Sequence, residues 1–334
     1  MKLAYKRAAA VAVALVMLAA CARGSAAEDG VSVVRLNQVV HSIFYAPQYV
    51  AMELGFFAEY GIVIELDTGN GADRSMTALL SGNADIGLMG TEASFYVFNE
   101  GREDFAVPFA QLTAKAGNFL VAREPMPGFT WDDVRGRTII GGRLGGMPQM
   151  VLEYILREQG IEPGADVEIL SNLAFTTTAA AFTGGVGDFT AEFDPSAFML
   201  EQAGIGYVVA SLGEAGGAVP YTVYMATRSF ISENPQTVQN FTNAVRRAQI
   251  WMHEHSAYEA ARVIAPHFPE NTYDELAVMI QRYKDIGAWP VGLTIEREGF
   301  ELLQDIMEQS GELSRRVDFD GFVDNSFAET AMEQ

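Results

Sequence analysis

The chain has 334 residues and a formal net charge of −21, with apolar residues at 49% and charged residues at 19%. That composition excludes a disordered chain and supplies material for about two domains of ~150 residues each. The excess of 43 acidic over 22 basic residues repels phosphate backbones and anionic lipid, so nucleic-acid binding and polybasic membrane docking are excluded as leading readings.

Lys2, Lys6 and Arg7 precede an apolar stretch over residues 8–20. It has the size of a signal-peptide core and is shorter than the ~20 residues of a spanning helix. Cys21 is the single cysteine, so there is no intramolecular disulfide and no CxxC redox or metal motif. It follows Leu18-Ala19-Ala20, a run that resembles the bacterial lipobox, in which the cysteine is lipidated and becomes the mature N-terminus. The alternative is cleavage after Ser25-Ala26-Ala27. The expectation is a signal peptide over residues 1–20, lipidation at Cys21 and a tether over 21–30. The mature chain then lies outside the cytoplasmic membrane, anchored to it by lipid, and loss of the three basic residues takes its charge from −21 to −24. No later segment has eighteen consecutive apolar residues.

From residue 31 onward, period-two apolar runs alternate with helical ones and glycine marks the junctions. Residues 31–36, 62–66 and 84–89 read as strands, separated by helices over 46–60 and 73–80. Residues 109–113 and 119–122 read as further strands. A second series follows, with strands at 138–142, 167–170, 189–193 and 207–210 and helices at 148–159 and 176–182. Residues 221–227 read as a strand, and helices at 235–255, 258–265, 272–286 and 295–308 complete the chain. Such alternation predicts βαβ units in largely parallel sheets. The expected fold class is α/β, two-lobed, with hinge crossings near 114–123 and 219–222 and a helical C-terminal region. Lobe 1 is discontinuous, over 31–116 and 222–334, and lobe 2 covers 117–221.

Ligands of open parallel sheets bind beyond the carboxyl ends of the strands. Four loops are selected by that rule, at 37–47, 89–94, 142–148 and 193–197, and they would meet in a cleft between the lobes. In the first, His41, Phe44 and Tyr45 offer an aromatic and hydrogen-bonding surface; a satisfied structural role for His41 is equally open. In the second, Gly90 would let backbone approach a ligand, and Thr91 and Glu92 supply a hydroxyl and a carboxylate. Helix capping by Thr91 fits the same residues. The third holds Arg143 and the turn Gly145-Gly146-Met147, whose amides could hold an anion or carbonyl oxygen. Glu192, Phe193 and Asp194 fill the fourth, and Tyr221 stands at the return crossing, placed to close over an aromatic ligand.

Several motifs together resemble a known family. They are His41-Ser42-Ile43-Phe44-Tyr45-Ala46-Pro47, Ala51-Met52-Glu53-Leu54-Gly55-Phe56-Phe57 and Ala78-Leu79-Leu80-Ser81-Gly82-Asn83-Ala84-Asp85-Ile86-Gly87. With them go Gly141-Gly142-Arg143-Leu144-Gly145-Gly146-Met147-Pro148, Phe193-Asp194-Pro195 and Pro220-Tyr221-Thr222. The chain resembles substrate-binding proteins of ABC importers for nitrate, aliphatic sulfonates, taurine and thiamine pyrimidine precursors. The resemblance implies a bilobal periplasmic-binding-protein-like fold and a monomer without cofactor. It also implies delivery of a small-molecule ligand to an ABC permease and its ATPase. The family commonly shows Phe-Glu-Pro where this chain has Phe193-Asp194-Pro195, so ligand geometry does not carry over there.

Among the selected charges, Glu92, Glu192 and Asp194 outnumber Arg143. That balance opposes a sulfonate and, with Phe44, Tyr45, Phe193 and Tyr221, suits a flat nitrogen heterocycle such as a thiamine pyrimidine precursor or related vitamin. Sulfonate, taurine or nitrate is the alternative. Fungal thiamine-pyrimidine synthases resemble the same fold and consume a lysine-bound pyridoxal phosphate and a histidine. Matching around Asp85-Ile86-Gly87-Leu88 places Met89 and Ala93 at those positions, and the region of their cysteine cluster reads Gly217-Ala218-Val219-Pro220-Tyr221. The expectation is therefore a carrier and not an enzyme. His253 and His255 are two apart on a predicted helix and point in different directions, so no metal site is expected.

Overall fold

Two five-stranded sheets organise the chain in the computed structural model, which describes residues 31–333. The expected signal peptide, Cys21 and the tether lie outside the described residues. In chain order the strands are β1 (Ser32–Gln38), β2 (Ile62–Thr68), β3 (Ile86–Met89), β4 (Ala106–Thr113) and β5 (Phe119–Ala122). They continue with β6 (Thr138–Ile140), β7 (Glu168–Leu170), β8 (Phe189–Glu192), β9 (Tyr207–Ser211) and β10 (Thr222–Thr227). The first sheet has the order β2-β1-β3-β10-β4 and the second β7-β6-β8-β5-β9. The chain thus crosses between sheets after Thr113 and returns before Thr222.

Pairing is parallel between β1 and β3, between β6 and β7, and between β6 and β8. The exceptions to the largely parallel expectation are β10, antiparallel to both β3 and β4, and β5, antiparallel to both β8 and β9. Their direction has a simple cause. Parallel strands in both sheets end at the cleft, and β5 and β10 are the strands that enter a sheet directly after a crossing. A strand entering from the cleft must run away from it.

Strands β3, β5 and β8 inside the sheets, and the edge strand β4, are buried along their whole length, as sheets covered by helices on both faces require. The covering helices carry the matching stripe. In the helix Pro235–Glu254, Val238, Phe241, Val245, Ala248 and Met252 recur every three or four residues and are all buried. The Phe241 ring packs tilted at 5.1 Å from Phe57 and edge-to-face at 4.9 Å from Tyr224. Capping boxes at Ser256–Glu259 and Thr272–Glu275 start the next two helices. The single helix expected over 46–60 is two, Ala46–Glu53 and Phe56–Glu59, because Gly55 adopts φ +73° and breaks it. Among the described residues no helix is long and apolar enough to cross a membrane.

Candidate functional site

A cavity of about 460 Å³ opens between the two sheets, a size suited to a small organic molecule. Its walls come from the carboxyl-end loops of both sheets. Val39, Val40 and Tyr45 follow β1; Ala72, Asp73 and Met76 follow β2; Gly90, Glu92, Ala93, Tyr96 and Val97 follow β3. The other sheet supplies residues 143–148 after β6, Phe175 after β7 and Phe193 after β8, with Tyr221 and Thr222 at the return crossing. Most of these side chains are apolar or aromatic. The lining charges are three carboxylates, Asp73, Glu92 and Glu312, and one guanidinium, Arg143.

Arg143 is not free for a ligand. Its guanidinium donates to both carboxylate oxygens of Asp73, at 2.7 and 3.2 Å, across the cleft. Partial burial would raise the Asp73 carboxyl, but the Arg143 hydrogen bond and charge outweigh it and hold that carboxyl below its ordinary value. The Tyr96 hydroxyl donates to Gly145 O at 2.7 Å, a second bridge between the sheets. Glu92 forms a third: Met147 N, in the first turn of the helix Met147–Glu158, donates to Glu92 Oε1 at 3.4 Å. Glu92 is 2% exposed and its Oε2 has no hydrogen-bond partner. Desolvation pushes its carboxyl up to about 7, against backbone hydrogen bonds that pull it down.

Of the residues singled out in the sequence, Tyr45, Gly90, Glu92, Arg143, Gly145, Gly146, Met147, Phe193 and Tyr221 line this cavity. Tyr221 presents its ring while its hydroxyl is tied to Asn118 Oδ1 at 2.7 Å. Two expectations within this set change. A β-carbon at Gly90 would collide with Glu92 Oε2, so the space that glycine opens is filled by the chain's own carboxylate. The amides of the glycine-rich turn are also taken: Leu144 N bonds Ser171 O, Gly145 N bonds Gln149 Oε1, and Gly146 N bonds Arg143 O.

Five other residues lie outside the cavity, each for a visible reason. His41 turns outward, stacks on Phe268 at 4.6 Å, and places Nε2 2.9 Å from His267 O and Nδ1 3.1 Å from the Tyr49 hydroxyl. Phe44 is fully buried behind the wall, against Tyr45, Phe193, Tyr221 and Tyr283. The Thr91 hydroxyl accepts no bond from the helix it precedes and is turned away from the cavity, donating to Pro220 O at 2.6 Å and pinning the return crossing. Glu192 accepts from Thr178 and Thr190 at 3.0 and 2.7 Å inside the second sheet's layer. Asp194 Oδ1 accepts from Phe198 N at 3.0 Å, holding the first turn of the helix Ser196–Gln202, and lies 3.6 Å from Arg282. Burial pushes Glu192 up to about 7 and Asp194 up to about 6; the hydroxyls of Thr190 and Thr178 pull the first down, and Arg282 the second.

Sequence reasoning missed Asp73, Met76, Tyr96, Val97, Phe175 and Glu312. Asp73 and Phe175 follow β2 and β7, so the carboxyl-edge rule applied to the outer strands would have reached them. Tyr96 is one helical turn beyond Glu92. Glu312 comes from the loop after the helix Arg297–Gln309, and no local signal marks it.

Two layered α/β halves with a cavity between the carboxyl ends of their strands define a bilobal binding-protein fold. The model of the NMT1-like family matches residues 39–265. A relative from Bacillus subtilis described as putative binding protein YtlA is 42% identical over 93% of this chain and 92% of its own length. This chain belongs to the NMT1-like family. Among solved structures, the ligand-binding component of an ABC-type import system from Staphylococcus aureus, with zinc bound, is similar with TM-score 0.73 at 17% identity, over 90% of this chain and 99% of that one. The alkanesulfonate-binding protein SsuA from Xanthomonas axonopodis pv. citri, bound to MOPS, is similar with TM-score 0.72 at 16% identity, over 89% of this chain and 99% of that one. At these identities the solved structures establish the fold alone.

Proposed function

We propose that this protein is the extracytoplasmic solute-binding lipoprotein of an ABC importer, anchored through Cys21. It captures a small organic molecule between its lobes and hands it, chemically unchanged, to a permease served by an ATPase. The observation that carries this reading is the apolar and aromatic cavity of about 460 Å³ walled by both lobes, with bridging contacts on either side. Similarity to an ABC import component supports the permease partner, and Met89 and Ala93 stand where the related synthases carry lysine and histidine.

The preferred ligand is a flat nitrogen heterocycle, such as a thiamine pyrimidine precursor or related vitamin. Tyr45, Tyr96, Phe175, Phe193 and Tyr221 supply ring-stacking surface, and the carboxylates outnumber the single, already paired guanidinium. The test is a melting and calorimetry screen of the mature protein against pyrimidines, flavins, taurine, alkyl sulfonates and nitrate. A true ligand at 100 times its Kd adds about 2.7 kcal/mol to stability. Tight binding of a sulfonate would reverse the ligand preference, and turnover of any ligand would overturn the carrier assignment. Cys21→Ser should release the protein from the membrane fraction.

A further inference from the structure

The inside of the cleft offers a ligand a free carboxylate oxygen and, among the described residues, no free cation. At the first turn of the helix Met147–Glu158, where backbone amides and the helix dipole favour a negative group, the protein has placed its own carboxylate. Met147 N donates to Glu92 Oε1, Pro148 has no N–H, and Gly145 N and Gly146 N are committed to Gln149 and Arg143. Most other donors nearby are used as well: Arg143 on Asp73, the Tyr96 hydroxyl on Gly145 O, and the Tyr221 hydroxyl on Asn118; the Tyr45 hydroxyl in the cavity wall is the neutral donor left without a hydrogen bond among the described residues. Among the lining charges, Glu92 Oε2 is left buried, without a partner and seated over Gly90 in the cavity wall.

We propose that Glu92 determines the charge of the ligand: it accepts solutes that present N–H donors or positive charge and excludes sulfonate-like oxoanions. An oxoanion would have to displace a carboxylate from its helix N-terminus and would then face that carboxylate in a site without a free cation. A solute with paired N–H groups meets the unpartnered oxygen directly, in a charge-assisted hydrogen bond. The inference rests on the reading of the cleft as a small-molecule site and assigns that site's selectivity to one residue.

Calorimetry at pH 8, above the value of about 7 to which desolvation pushes the Glu92 carboxyl, tests it on the mature protein and two variants, with 4-aminopyrimidine and benzamidine as N–H donor probes and MOPS and ethanesulfonate as anionic probes. Wild type is expected to bind a donor probe and neither sulfonate. Glu92→Gln, nearly isosteric and checked for folding by circular dichroism, should weaken the donor probe by about 30-fold, the worth of a charge-assisted hydrogen bond. Glu92→Ser, which vacates the helix N-terminus, should acquire sulfonate binding. Sulfonate binding by wild type, or a donor probe indifferent to Glu92→Gln, overturns the assignment of Glu92. Binding of some other panel solute by wild type, with neither probe class bound, also overturns it and leaves the carrier reading standing. Wild type that binds no solute at all overturns both.

Discussion

Glu192 ends β8 with its carboxyl between the hydroxyls of Thr178 and Thr190, and desolvation pushes it up to about 7. In an unfolded chain a glutamate titrates near ~4.3. The folded state therefore holds a proton that the unfolded state has lost across the intervening pH range. Stability from this group is fully present below the unfolded value and falls as pH rises through about 7. At roughly 1.4 kcal/mol per pH unit, Glu192 alone should remove about 2–3 kcal/mol between pH 5 and pH 8. Glu192→Gln keeps the shape and stays neutral, so it should match wild type near pH 5 and exceed it by about 2 kcal/mol at pH 8. Urea titrations at both pH values check this; an identical pH slope in wild type and variant would refute it. The sequence marks Glu192 as acidic at a strand end, and the alternation of β8 cannot tell which face that end presents. Of the hydroxyls that claim it, Thr190 lies two residues back on the same face of β8, and Thr178 comes from a helix that only the fold brings beside it.

The 3-10 turn Ile43–Tyr45 shows the same limit at the level of elements. Ser42 caps it by accepting from Phe44 N, and the Ser42 hydroxyl donates to Asp194 O in the other lobe. That tight turn sends Phe44 inward, beside Gly117 at the first crossing, where a β-carbon would strike the ring. The ring therefore joins the hinge and the ligand wall passes to Tyr45, although both residues are aromatic neighbours in sequence. Phe44→Ala should cost about 3–5 kcal/mol, the usual penalty for emptying a buried aromatic site, seen as a lower urea midpoint at unchanged slope. A loss below about 1 kcal/mol would show that the cluster does not hold the crossing. Element positions from β1 to β10 were legible because period-two and helical apolar patterns survive burial. Strand directions at β5 and β10 were not, since direction follows from the crossing and leaves no mark in composition. The helices Arg228–Glu233 and Ser326–Met332 were missed for a related reason, being short segments whose packing against the long C-terminal helix decides them.

Across the whole molecule the contacts between lobes fall into two groups of different strength. Beside the crossings lie buried ties: Thr91 to Pro220 O, Ser42 to Asp194 O, and Tyr283, which donates to Gly117 O at 3.2 Å and accepts from Asp194 N at 3.0 Å. At the cavity lie weaker ones, the Asp73–Arg143 pair with side chains 59% and 38% exposed, the Tyr96–Gly145 hydrogen bond, and the long bond of 3.4 Å from Met147 N to Glu92. An exposed ion pair is worth about 0.5 kcal/mol and a neutral hydrogen bond about 1 kcal/mol, so the mouth can part while the crossings hold. Such an arrangement is what hinge closure around a ligand requires, because the ligand's own contacts then decide the population of the closed form. The double variant Asp73→Ala with Tyr96→Phe removes the ion pair and the tyrosine hydrogen bond and should shift the ligand-free protein toward the open form by roughly tenfold. X-ray scattering should then give a larger radius of gyration without ligand, restored by saturating ligand, with the urea midpoint nearly unchanged. If the ligand-free radius matches wild type, the mouth contacts do not set the opening, and the buried ties at the crossings must be holding both lobes in one fixed body.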